Sequence, residues 1–163
     1  MDAKRWSARE LARSPLMPAA QAARFAEMPP PAPHTEADLR SLLALLTAPA
    51  AAVSTVAVGH SRDAASRAAA EAFVAAWQAG GGTVVAVVDW PEQAASWLRP
   101  ALRLTAQDPD AWVIAAAPLG WAQLSRRLRL STDWNPRRTY AFPPLEPDGD
   151  ADPPVRPPYR SGP

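Results

Sequence analysis

The chain has 163 residues, 48% of them apolar, and a formal net charge of +1, which suits one packed domain with tails. So small a net charge excludes the broad basic footprint of a general nucleic-acid or membrane-surface binder. With no cysteine, disulfides, thiolate metal sites and a cysteine nucleophile are excluded together.

Residues 1–34 read as a loosely attached segment. Trp6 to Ala12 and Ala19 to Met28 have helical composition, but Pro15, Pro18 and the Pro29–Pro33 run prevent any longer helix. Asp2, Lys4, Arg5, Arg9, Glu10 and Arg13 leave no apolar stretch for a secretory signal, and no cysteine is present for lipid attachment. A cytoplasmic location is therefore the expectation. The longest apolar stretch, Leu42 to Val53, is broken by Thr47 and Pro49 and is too short for membrane insertion.

A single α/β unit is expected over residues 35–142. Thr35 is an N-cap with Asp38 three residues on, and Leu39, Leu42, Leu43 and Leu46 then repeat at helical spacing. A first β-branched run, Thr55 to Val58, hands over through Gly59-His60-Ser61-Arg62-Asp63 to a helix from Ala64 to Ala79. Ala69, Ala72, Phe73, Ala76 and Trp77 mark the buried side of that helix, and Gly80-Gly81-Gly82 stops it. The second run, Thr83 to Val88, ends at Asp89-Trp90-Pro91. A helix is expected from Pro91 to Thr105, burying Ala94, Trp97, Leu98 and Leu102.

After the turn Asp108-Pro109-Asp110, the third run is uniformly apolar from Ala111 to Ala117, as a strand covered on both faces should be. Pro118-Leu119-Gly120 leads into a helix from Trp121 to Leu130, with Leu124 and Leu128 facing inward. Asp133 to Pro136 turns the chain into a fourth run, Thr139 to Phe142. From Pro143 the chain is dominated by proline, Asp and Gly, so residues 143–163 read as a disordered tail. Strand runs separated by helices predict an open parallel sheet of about four strands in βαβαβαβ order, Rossmann-like in class. In such a sheet the place to look for a site is the carboxyl edge of the strands.

Ala72-Phe73 through Gly80-Gly81-Gly82-Thr83-Val84-Val85, Asp110-Ala111-Trp112-Val113-Ile114 and Trp134-Asn135-Pro136-Arg137-Arg138-Thr139 together resemble one lobe of the type I periplasmic binding proteins. The branch is the leucine/isoleucine/valine-binding one found with ABC transporters, and the likeness runs from about Thr35 to Phe142. The chain has length for one lobe where that family has two. It reads His60-Ser61-Arg62-Asp63 where the family offers its ligand an acidic residue and an aromatic–glycine pair. The resemblance thus implies the lobe fold ahead of amino-acid binding, in a chain that is either a truncated or a repurposed lobe.

No motif identifies a reaction: G-x-G-x-x-G, the P-loop and the G-x-S-x-G elbow are all missing. Gly59, His60, Ser61 and Arg62 bring N–H groups, a hydroxyl and a guanidinium to a strand–helix junction, where they suit a carboxylate or phosphate. The other reading is ordinary turn chemistry, with Ser61 capping the helix and His60 and Arg62 solvated. Asp89, Trp90, Gly120 and Trp121 end the next two strands on the same edge, suited to stacking and orienting a small organic ligand, or to closing the core. Arg126, Arg127, Arg129, Arg137 and Arg138 form the one concentrated basic region, read as a solvated face. His34 and His60, unclustered, give no metal site.

Three functions follow. The first is a non-enzymatic binding lobe for an amino acid or small carboxylate, or a remnant of one, with no cofactor and Gly59, His60, Ser61, Arg62, Asp89, Trp90, Gly120 and Trp121 lining the site. The second is an interaction module, with a homodimer or another protein covering the exposed lobe face. The third is a flavodoxin-like domain that binds a nucleotide or flavin.

Overall fold

The computed structural model of the chain describes residues 17–143 and 145. The expected helix from Trp6 to Ala12 and nearly all of the proline-rich tail lie outside them. The four β-branched runs form parallel strands, β1 (Thr55–Ser61), β2 (Thr83–Trp90), β3 (Ala111–Ala115) and β4 (Thr139–Ala141), in the order β2-β1-β3-β4. Phe142 continues the last ladder by donating its N–H to the Ile114 carbonyl at 2.9 Å. Helices α1 (Ala19–Ala26), α2 (Glu36–Thr47), α3 (Ala64–Ala79), α4 (Leu98–Thr105) and α5 (Pro118–Ser131) complete the α/β fold.

Helices α2 and α3 begin at side-chain caps. Thr35 Oγ1 accepts the Asp38 N–H at 3.1 Å while Asp38 returns a carboxylate oxygen to the Thr35 N–H at 2.9 Å, the reciprocal cap that the sequence implies. At α3 the cap is Asp63, whose Oδ1 accepts the Ser66 N–H at 2.8 Å. Ser61, two residues earlier, is still in β1. Helix α3 ends where Gly81 takes φ +89°, a conformation in which a side chain would be strained.

Both faces of the sheet are covered, and the alternation of side chains sorts the core into two layers. Val56 and Val58 of β1 and Val113 of β3 face α2 and α3, packing with Leu42, Leu46, Phe73 and Trp77. Ala57, Trp112 and Ile114 point the other way, to Trp97, Ala101, Leu104, Trp121, Leu124 and Leu128. Each large side chain so buried contributes about 1.5–3 kcal/mol.

Two helices differ from the expectation, α5 by starting at Pro118 in place of Trp121, so that Gly120 and Trp121 lie in the helix and not at a strand end. Helix α4 begins at Leu98, not Pro91, and residues 91–97 form an irregular loop. The loop is held by contacts remote in sequence: Trp97 Nε1 donates to Gln123 Oε1 at 3.1 Å, and Glu92 reaches Gly120. Trp97, Ala101 and Leu104 then form the buried stripe, leaving Leu98 40% and Leu102 49% exposed where burial was expected.

Because β2 and β3 flank β1 on opposite sides, the chain changes direction at β1. The helix after β1 covers one face and the helix after β3 covers the other. The crevice between the carboxyl ends of β1 and β3 is where ligands bind in open parallel sheets.

Candidate functional site

The residues singled out from sequence do not all arrive in one place. His60, Ser61, Arg62 and Asp89 meet at the carboxyl ends of β1 and β2, where His60 pairs with Asp89 and Ser61 with Trp90 in register. Gly59 sits inside β1 with no room for a side chain, since an added Cβ would lie 2.6 Å from the Trp90 ring. Trp90 is fully buried and Trp121 is 4% exposed. Their rings lie 6.2 Å apart, and Trp121 meets Trp134 edge-on at 5.9 Å. These indoles form a packed aromatic row below the edge, not an open stacking surface.

Ser61 is the centre of a buried polar knot. Its hydroxyl donates to Asp63 Oδ2 at 2.5 Å, lies 3.1 Å from the Ser66 hydroxyl, and accepts the Ala117 N–H at 2.9 Å. The knot therefore ties the end of β1 to the first turn of α3 and to the residue before α5. His60 is buried, with Nδ1 2.9 Å from the Ser61 carbonyl. Slight burial opposes ionisation of Asp63, but hydrogen bonds from Ser61 and Ser66 outweigh it and hold the carboxyl below its ordinary range. Arg62 Nε pairs with Asp89 Oδ2 at 2.9 Å, largely in solvent. There too, desolvation is outweighed by the Arg62 hydrogen bond and charge, with His60 assisting, so the Asp89 pKa is lowered.

The residue that sequence reading missed is Glu92. Its Oε2 accepts the Gly120 N–H at 3.2 Å, while Oε1 is buried with no hydrogen-bond partner. Burial pushes its pKa up, against the Gly120 N–H and with help from the charge of Asp63. The fully buried Trp90 Nε1 is likewise without a partner. Placing Glu92 inside a helix concealed the contact, which depends on the loop that replaces the helix's first turns.

A small hollow opens beside this edge, lined by Ala65, Ser66, Ala115 and Phe142 and covered by Pro31, Ala32 and His34. Its free volume, about 10 Å³, holds about one water molecule. The His34 ring meets Phe142 at 5.8 Å, so the proline segment before α2 lies against the residues that follow β3 and β4.

Two arginines of the basic region, Arg129 and Arg138, are anchored. The Arg138 guanidinium lies 5.1 Å over the Trp112 ring and donates to the carbonyls of Pro109 and Asp110, and that of Arg129 lies 5.7 Å over Trp134. Among the described residues no group of three or more His, Asp or Glu is placed to hold a metal ion, and no helix is long and apolar enough to cross a membrane.

No protein-family model and no curated protein matches the chain. Among solved structures, the fold is similar to one described as a branched-chain amino acid ABC transporter from Rhodospirillum rubrum. The TM-score is 0.54 at 22% identity, over 65% of this chain and 29% of that one. The fold is that of one binding-protein lobe. The lobe spans less than a third of its structural neighbour's length, and the likeness speaks for the fold alone.

Proposed function

We propose that this chain is a non-enzymatic, single-lobe binding module that takes an amino acid or small carboxylate at the carboxyl edge of its sheet. The observation that carries this reading is the pair of buried groups without partners, Glu92 Oε1 and Trp90 Nε1, at the edge where open parallel sheets hold ligands. The lobe fold and the clustering of His60, Ser61, Arg62 and Asp89 on the same edge support it. Arg62 is the cation available to a carboxylate, in exchange for its exposed pair with Asp89.

A thermal-shift screen of the full chain against amino acids and small carboxylates tests the reading. A saturable rise in Tm that Arg62→Ala abolishes is the expected result. No rise with any of these compounds would overturn it.

A second reading, self-association through α4, is favoured by the exposure of Leu98 and Leu102 one helical turn apart. Light scattering at high micromolar concentration should then give a dimer mass that Leu102→Glu returns to the monomer.

A further inference from the structure

Helix α5 begins without the usual local help. Its N-cap is Ala117, which offers no side-chain hydrogen bond, and its first turn carries no acidic residue. The positive end of this 14-residue helix is met instead by Glu92, from the loop after β2. Glu92 meets it poorly: one carboxylate oxygen accepts the Gly120 N–H at 3.2 Å and the other reaches no donor. Beside it, a second donor goes unused. Trp90, fully buried, holds Nε1 3.3 Å from the point where a Gly120 Cβ would stand, and that N–H has no partner. Glycine at position 120 is what lets Glu92 come this close, since a Cβ there would lie 2.8 Å from Glu92 Oε1.

We propose that the first turn of α5 is a carboxylate seat, formed by the Gly120 N–H and the Trp90 indole N–H, which the chain fills with its own Glu92 and which an external small carboxylate takes in exchange. A free carboxylate, not tethered to the backbone of residue 92, can accept from both donors at once and leave neither orphaned. Burial already disfavours the charged form of Glu92, so the internal occupant is weakly held. The charge of Asp63 opposes any anion at this point, so a simple carboxylate is expected to bind weakly. The inference rests on the binding-module reading only in placing a ligand at this edge.

The test uses the full chain and formate, with chloride at matched ionic strength as the control. Formate should stabilise Glu92→Ala saturably and at least about tenfold more tightly than the unaltered protein, a factor of ten being an equilibrium-constant difference of about 1.4 kcal/mol. The Trp90 indole N–H resonance should move over the same titration, and adding Gly120→Ala to the Glu92→Ala variant should abolish both effects. Glu92→Ser serves as a second truncation should the alanine variant fold poorly. Equal effects of formate and chloride, or an indole resonance that does not move, would show a water-filled space and overturn the seat. A ligand found for the unaltered protein alongside that result would place binding elsewhere on the edge. Formate binding by Glu92→Ala, with no ligand found for the unaltered protein, would uphold the seat and remove the wider role.

Discussion

Two carboxylates at opposite edges of the same sheet meet opposite surroundings. At the amino edge, Asp110 Oδ2 accepts the N–H groups of Ser54 and Thr55 and the Ser54 hydroxyl, each at 2.9 Å. The Asp110 N–H returns a bond to Thr55 Oγ1 at 3.0 Å. Those donors, Ser54 N–H first, hold its pKa down to about 2. At the carboxyl edge, Glu92 has one donor on one oxygen, and burial pushes its pKa up. The amino edge is completed by its own chain, as a part that only joins strands should be. The carboxyl edge retains unused donor and acceptor capacity in the position where parallel sheets bind ligands.

The largest test of this contrast compares glycines at the two edges. Gly82, entering β2, lies against the Trp77 indole, and an added Cβ would stand 2.2 Å from it. That ring is fixed by burial and by its Nε1 donating to the Thr83 carbonyl at 3.2 Å. Gly82→Ala should therefore cost about 3 kcal/mol in urea denaturation. Next comes Asp110→Ala, which strips three donors of their acceptor and should cost about 2 kcal/mol. Its folded pKa is depressed, so this stability is present above the ordinary carboxylate range and is lost as the pH falls towards 2. A cost below about 0.5 kcal/mol would mean that the amino edge is no better satisfied than the carboxyl edge.

Gly120→Ala should cost under about 1 kcal/mol, because the obstructing atom is a carboxylate on a flexible side chain and alanine favours the helix. A cost like that of Gly82→Ala would show Glu92 to be rigidly placed, and the contrast between the edges would fail.

What the sequence discloses follows the range of the interactions. The strand runs, the Thr35–Asp38 cap and the glycine stop of α3 depend on neighbours within a few residues, and the structure has them where the sequence implies. The start of α4 depends on Trp97 reaching Gln123 and on Glu92 reaching Gly120, pairs that no local pattern reveals. For the same reason the composition of Gly59–Arg62 placed polar groups at the carboxyl edge but not their roles. Ser61 reads as an anion ligand or a helix cap and is the buried link to Ala117, while Trp90 and Trp121 read as stacking rings or as core closure and are core. The burial of His60 and Ser61 follows from the length of β1, which carries both into the sheet.

The smallest expected effect is also the most specific. Glu92 has a raised folded pKa, so the stability it holds is fully present below its ordinary value of 4.5 and is lost as the pH rises through the folded value. Glu92→Gln keeps an oxygen for the Gly120 N–H and cannot ionise. The variant should match the unaltered protein at pH 4 and exceed it progressively above pH 4.5. The comparison is made by urea denaturation across that pH range. A pH-independent difference would mean that Glu92 is no better neutral than charged where it sits. The unsatisfied oxygen would then have lost its meaning as a sign of a site built for something else.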